Sequence, residues 1–107
     1  MNLPKVVTDL IQAQNSFDSD AYAKCFSETG VMLEEGKPYT GHVEIQRMIE
    51  EANKKYKSVM KPLEYTENGK SGILSAECSG TFPGSPLILK FHLEIDHGQI
   101  QYLKVTG

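Results

Sequence analysis

Near Tyr56 the hydrophobic pattern of this chain changes its period, and this change constrains the fold more than any other feature. Before it, apolar residues recur every three or four positions, as on one face of a helix, at Ile45, Met48, Ile49, Ala52 and Tyr56. After it, apolar and polar residues alternate, which is typical of strands with one buried face. Helices that precede a run of strands predict an α+β domain in which the helices cover one face of a sheet.

Two further helices are predicted before the helix whose apolar face runs from Ile45 to Tyr56. Apolar spacing predicts a first helix over 3–17, where Pro4 suits a first helical position and Phe17 belongs to the apolar stripe. Asp18 or Ser19 can cap a short second helix that runs through 26, with Tyr22 on its apolar face. These two helices are expected to form a hairpin.

Between the second and third helices, residues 31–35 form a short predicted strand that ends in two adjacent carboxylates, Glu34 and Glu35. Alternation places these two side chains on opposite faces, and the sequence leaves open which face is buried. Residues 36–38, Gly-Lys-Pro, are expected to break the strand and form a loop. The third helix is expected to start at 40–41, where a threonine and a glycine can cap it.

Four strands joined by turns are predicted after the third helix, and together they form an antiparallel meander. They cover 59–66, 73–82, 87–95 and 99–106. Pro62 places the first of them at a sheet edge, because proline has no N–H to donate. Small residues on the inner face of the second, Ala76, Cys78 and Gly80, would leave a hollow for a ligand or, alternatively, allow a helix to pack closely.

Length and charge limit the classes of function. The 107 residues suffice for a single domain over 1–107 with one core and one modest cavity. A net charge of −3 with both signs interspersed favours neither nucleic acid nor a membrane surface, so we expect neither partner. The chain shows neither a secretory signal nor an apolar run near the ~20 residues of a membrane span, and we expect a cytoplasmic protein.

Cysteines and histidines give no sign of a metal site. Cys25 and Cys78 lie far apart among apolar neighbours and are expected to be buried, reduced thiols. His42, His92 and His97 do not cluster with them, so we expect no metal and no other cofactor. No phosphate loop, nucleophile elbow or dinucleotide fingerprint occurs.

Three segments together resemble a known family: NSFDSDAYAKCF, GVMLEEGKPYTG followed by HVEIQRMI, and SAECSGTFPGSPLILKFHLEIDHGQI. In order and spacing they resemble the nuclear-transport-factor-2-like superfamily, and within it the small SnoaL-like proteins related to polyketide cyclases and ketosteroid isomerases. The resemblance covers nearly the whole chain. It implies a cone of three helices wrapped by a strongly curved, mainly antiparallel mixed sheet, with an apolar pocket at the wide end. It also implies a homodimer through the outer face of the sheet, with which apolar Ile73 and Ile88 on outward faces are compatible.

The resemblance also suggests a chemistry. In the isomerase branch the general base is a carboxylate at the end of the first strand, which corresponds to Glu35, or to Glu34 if the register is shifted by one. An apolar pocket would raise the pKa of such a base toward neutrality. The two oxyanion donors of that branch correspond to Leu10 and Phe91, which cannot donate, and this departure argues against steroid isomerisation.

The expected ligand-binding residues are Gln14, Tyr39, Tyr56, Cys78 and Phe91. Gln14, Tyr39 and Tyr56 are the possible replacement donors. Each has an ordinary structural alternative: Gln14 as a cap for buried backbone groups, Tyr56 as a core residue and Tyr39 as packing for the loop. The two glutamates could equally form a solvated pair at a strand end.

Two classes of function therefore remain open for a protein with a pocket for a small hydrophobic ligand. One is a metal-independent enzyme that uses a glutamate base for isomerisation, cyclisation or dehydration of a carbonyl compound. The other is a non-catalytic ligand-binding or dimerisation module, which the missing donors favour.

Overall fold

Three helices pack on a six-stranded mixed sheet in the computed structural model, which describes residues 1–107. The helices are α1 (Lys5–Asn15), α2 (Ser19–Lys24) and α3 (Gly41–Tyr56). The strands are β1 (Phe26–Glu34), β2 (Lys37–Thr40), β3 (Val59–Asn68), β4 (Ser71–Ser79), β5 (Leu87–Asp96) and β6 (Gln99–Thr106). The predicted α+β class with three helices is confirmed. None of the helices has both the length and the hydropathy needed to cross a bilayer.

The strands lie in the order β2-β1-β6-β5-β4-β3. The last four form the predicted antiparallel meander, and β3 lies at the edge as expected from Pro62. β1 pairs with β6 in parallel, with Val31 opposite Tyr102, so the sheet is mixed. This parallel pairing brings the first half of the chain against its C-terminal strand.

The core lies between the helices and the inner face of the sheet and contains no charged residue. Periodicity predicted its members well: Ile45 and Ile49 of α3 are buried, and Leu74, Ala76 and Cys78 of β4 alternate with more exposed neighbours. The largest fully buried side chains are Phe26, Leu10, Ile45, Leu74, Leu93, Ile100, Leu103 and Val7. Burial of each such aliphatic or aromatic side chain stabilises the fold by about 1.5–3 kcal/mol.

The expected loop at 36–38 is wrong, because these residues lead into a strand. Glu35 and Gly36 have φ values of 52° and 77° and form a tight turn from which β2 returns antiparallel to β1. Positive φ at both central residues is what a type I′ hairpin turn requires. Pro38 is tolerated because β2 is an edge strand and can do without one N–H.

Two helix ends also differ from the prediction. α1 ends at Asn15, and Phe17, placed on its buried stripe by spacing, has a left-handed φ of 53° and is 45% exposed. α2 ends at Lys24, two residues early, and the fully buried Phe26 begins β1 instead. The turn between the helices explains the first difference, since Asp18 must accept a hydrogen bond from Ala21 N to cap α2.

Candidate functional site

A cavity of about 700 Å³ lies between the helices and the inner face of the sheet. Most of its lining is apolar, and it includes all three internal methionines, Met32, Met48 and Met60. Its volume falls within the range of about 300–1,000 Å³ that is typical of small-molecule sites. Cys78, one of the small inner-face residues expected to leave a hollow, belongs to the wall, whereas Ala76 does not.

A second cavity, of about 770 Å³, lies against α1, α2 and the β5–β6 turn. Polar and charged side chains such as Lys5, Asp9 and Lys24 form much of its wall. None of the residues predicted for the site borders it. The apolar cavity is therefore the candidate site.

The two predicted carboxylates have different environments. Glu34 ends β1 two positions after buried Met32, is half-buried and lines the apolar cavity. Burial raises its pKa above the ordinary value of 4.5, and the charge of Glu35 adds to the shift. Glu35 also borders the cavity but occupies the exposed, left-handed position of the turn. The resemblance to the isomerase branch favours Glu35 as the general base and leaves Glu34 as the alternative. In the structure Glu34 is the more buried of the two.

Gln14, at the end of α1, lines the cavity but is not available as a donor. Its Nε2 donates to Asn53 Oδ1 at 3.0 Å and to the carbonyl oxygen of Ser58 at 2.7 Å. A side-chain amide has only two N–H groups, and both are used. Gln14 therefore offers the cavity an acceptor, Oε1, instead of the expected donor.

Of the other four expected ligand-binding residues, three line the cavity and one lies outside it. Tyr56, Cys78 and Phe91 line the cavity. The Tyr56 ring packs edge-on against Phe82 with centroids 6.3 Å apart. Burial raises the pKa of the Cys78 thiol to about 11, so the thiol stays protonated and is a poor nucleophile. Tyr39 packs against the core from β2 and is not part of this cavity.

Tyr22, on α2, was not predicted as a site residue. It is only 2% exposed, lines the cavity, and makes no hydrogen bond through its hydroxyl within the protein. Burial raises the pKa of Tyr22 far above its ordinary value of 10, and the Glu34 charge raises it further. The hydroxyl is therefore a neutral donor. The sequence held one signal, because a tyrosine on an apolar helix face needs a partner for its hydroxyl.

The two positions that correspond to oxyanion donors in the isomerase branch are apolar here. Leu10 is fully buried and does not reach the cavity, whereas Phe91 is buried and lines it. Neither can donate a hydrogen bond. Tyr22, a buried residue of the cavity wall whose hydroxyl has no partner in the protein, could instead donate to an oxygen atom of a ligand.

No family model and no curated protein matches the chain. Among solved structures, a Sinorhizobium meliloti protein provisionally described as a polyketide cyclase is 35% identical, with 97% of this chain and 95% of that one covered and a TM-score of 0.92.

Two more distant solved structures are similar in fold. A hypothetical protein of ketosteroid isomerase-like fold from Catenulispora acidiphila, in complex with trimethylamine, is 16% identical over 99% of this chain and 87% of that one, with a TM-score of 0.89. SalBIII, an epoxide hydrolase/cyclase-like enzyme with a role in pyran ring formation in the polyether salinomycin, is 18% identical over 94% and 86%, with a TM-score of 0.79. At these identities the likeness concerns the fold.

Proposed function

The chain belongs to the nuclear-transport-factor-2-like superfamily, among its SnoaL-like members, and we propose that it is an acid–base enzyme that acts on a small hydrophobic carbonyl compound. One observation carries this proposal: Glu34, half-buried with a raised pKa, lines the same apolar cavity as Tyr22, whose hydroxyl has no partner in the protein. Isomerisation, cyclisation and dehydration all begin with the proton transfer that such a pair supports.

In the proposed isomerisation, the ligand carries a C=C bond in the β,γ position, and ionised Glu34 removes a proton from the carbon between it and the carbonyl. The C–H bond breaks, its electron pair forms a C=C bond, and the negative charge moves to the carbonyl oxygen. Tyr22 donates a hydrogen bond to that oxygen, which stabilises the developing charge. Glu34, now neutral, returns the proton to the γ carbon, where the original C=C bond breaks. A C=C bond remains between the α and β carbons and the carbonyl re-forms, so no co-reactant is needed.

The raised pKa of Glu34 suits this role. A base with a pKa closer to the working pH is more basic than an ordinary carboxylate and can still be largely ionised. General acid–base catalysis of this kind contributes roughly 10²–10⁴-fold to a rate. The mainly apolar lining strengthens the hydrogen bond to the charged oxygen, because the local dielectric constant is low.

The proposal can be tested without knowledge of the natural substrate. The probe 2-tetralone carries acidic protons beside a carbonyl, and their replacement by deuterium in D2O is visible by proton NMR. We expect exchange at least tenfold above the buffer rate, loss of that excess in Glu34→Gln, and retention of most of it in Glu35→Gln. Exchange at the buffer rate, or full exchange in Glu34→Gln, would contradict the proposal.

A non-catalytic ligand-binding module is the second candidate function. The apolar residues at the two donor positions, Leu10 and Phe91, favour it, because the usual electrostatic stabilisation of an enolate is absent there. In the exchange experiment this function predicts that 2-tetralone binds, as seen from chemical-shift changes, while its protons exchange at the buffer rate.

The proposal includes the cone shape and the homodimer. Register irregularities in the β1–β6, β3–β4 and β5–β6 pairings support a strongly curved sheet, since bulges bend strands.

Ile88 and Ile73, 59% and 39% exposed on the outer face, support a dimer through that face. Sedimentation equilibrium would test it, and we expect Ile88→Lys to shift the protein toward monomer. The cytoplasmic location is likewise proposed, and the free thiols of Cys25 and Cys78 are compatible with it.

A further inference from the structure

The cavity wall includes two polar side chains that the proposed proton transfer does not use. They belong to Gln14 and Asn53, which we call the amide pair. The pair is joined by the 3.0 Å hydrogen bond from Gln14 Nε2 to Asn53 Oδ1. The second hydrogen bond of Gln14 Nε2, to the carbonyl oxygen of Ser58, fixes the orientation of both amides, because a carbonyl can only accept.

This orientation leaves one acceptor and one donor free. Gln14 Oε1 and Asn53 Nδ2 make no hydrogen bond within the protein, although both residues are half-buried and line the cavity. Every fully buried side-chain nitrogen or oxygen in the protein has a partner. The two free atoms therefore remain solvent-accessible on residues of the cavity wall.

We propose that the amide pair binds a hydroxyl group of the ligand. Gln14 Oε1 accepts its hydrogen, and Asn53 Nδ2 donates to the same or a neighbouring oxygen. The inference rests on the proposed function and narrows the substrate class to hydroxy-carbonyl compounds, with the carbonyl at Tyr22 and the hydroxyl at the amide pair. An ammonium group would suit the site less well, because it cannot accept from Asn53 and is costly to move into a mainly apolar cavity.

Such a site distinguishes ligands that carry the hydroxyl from ligands that lack it, because polar groups of the cavity wall that lose their hydrogen bonds cost free energy. When a ligand without the hydroxyl enters, it displaces water from Gln14 Oε1 and Asn53 Nδ2 and leaves them unpaired. Because both residues are only half-buried, we expect discrimination of about ten- to hundredfold, below that of fully enclosed sites.

The test uses three probes with one skeleton: 2-acetylnaphthalene, 6-hydroxy-2-acetylnaphthalene and 6-methoxy-2-acetylnaphthalene. Their dissociation constants can be measured by fluorescence titration of the full chain. We expect the hydroxy probe to bind at least tenfold more tightly than the methoxy probe. In Gln14→Met and in Asn53→Ala we expect this ratio to fall below about threefold.

Asn15→Ala is the matched control, because this neighbouring amide is bonded to the backbone N–H and carbonyl of Met60 and does not line the cavity. Asn15→Ala should lower the free energy of unfolding and leave the ratio of hydroxy-probe to methoxy-probe affinity unchanged. Equal binding of the hydroxy and methoxy probes by the unmodified protein would overturn the inference, as would an unchanged ratio in Gln14→Met. Both results leave proton exchange from 2-tetralone intact, whereas failure of all three probes to bind overturns the inference together with the proposed pocket.

Discussion

Tyr22, which is buried, and Glu34, which is half-buried, line one apolar cavity, and the charge of Glu34 makes the Tyr22 hydroxyl harder to ionise. Burial is the main reason that the pKa of Tyr22 is raised, and the negative charge of Glu34 adds to it. Tyr22 therefore stays protonated whenever Glu34 is ionised. One group is a permanent donor and the other takes and returns a proton, which is the division of roles that enolisation requires.

The first prediction concerns pH and stability. Because burial raises the pKa of Glu34, the folded protein holds this proton more tightly than the unfolded chain does. The resulting stabilisation is complete below about pH 4.5 and is lost as the pH rises through the folded-state pKa. Relative to Glu34→Gln, the unmodified protein should lose stability between pH 4 and 8, and the loss should be small because the carboxyl is partly exposed. Urea unfolding at a series of pH values measures this difference.

Glu50→Gln, at an exposed position of α3 without an ion pair, is the control for removal of one negative charge. Its stability should follow that of the unmodified protein across the same pH range. A constant difference between Glu34→Gln and the unmodified protein at every pH would show that Glu34 is an ordinary solvated carboxylate.

The second prediction separates the hydroxyl of Tyr22 from its ring. Tyr22→Phe keeps the ring, which packs against Phe26 at 6.1 Å between centroids, and removes a hydroxyl that has no partner in the protein. Stability should change by less than about 0.5 kcal/mol. Affinity for 2-acetylnaphthalene should fall about three- to tenfold, whereas affinity for 2-ethylnaphthalene, which has no carbonyl, should stay the same. Equal losses for the two probes would mean that Tyr22 only shapes the wall.

Much of the fold could be predicted because local pattern and tertiary burial agree. The centres of the predicted apolar faces of α3, β4 and β5 are buried as expected, since each element has one apolar face and one sheet or helix layer to cover it. Leu87, predicted to face inward at the start of β5, is 41% exposed because it lies at the end of the strand. β2 was missed because its four residues contain Pro38 and show no alternation. Its existence depends on pairing with β1 through a two-residue turn, which propensity alone does not reveal.

Less of the candidate site than of the fold could be predicted from the sequence. Whether Glu34 or Glu35 is buried depends on which face of β1 meets the helices, and both faces of that strand begin with apolar residues. The change of Gln14 from donor to acceptor depends on Asn53 and Ser58, which are 39 and 44 residues away in the chain. Such partners become neighbours only after the helices dock.

The third prediction treats Glu35 as a turn residue. Its φ of 52° is unfavourable for a glutamate by roughly 1–2 kcal/mol, whereas asparagine tolerates this region. Glu35→Asn should therefore raise the free energy of unfolding by about 0.5–1 kcal/mol in urea titrations and keep most of the proton exchange from 2-tetralone. Gly36 has a φ of 77°, which alanine tolerates less well than glycine, so Gly36→Ala should lower the free energy of unfolding by about 1 kcal/mol. Loss of exchange in Glu35→Asn with exchange retained in Glu34→Gln would assign the base to Glu35.

The fourth prediction concerns Gly80, which follows β4 beside the cavity wall. A Cβ at this position would collide with the carbonyl oxygen of Tyr56 and come within 3.0 Å of the Phe82 ring. That carbonyl also accepts from Thr81 N at 2.7 Å, so the backbone has little freedom to move away.

Gly80→Ala should lower the free energy of unfolding by about 1–3 kcal/mol, the usual range for overpacking, and thermal unfolding should show it as a loss of several degrees. Because Tyr56 and Phe82 both line the cavity, affinity for 2-acetylnaphthalene should fall as well. Ser79→Ala is the neighbouring control and should leave both quantities nearly unchanged. Normal stability in Gly80→Ala would show that the Tyr56 carbonyl and the Phe82 ring can shift freely, and that this end of the cavity adapts its shape.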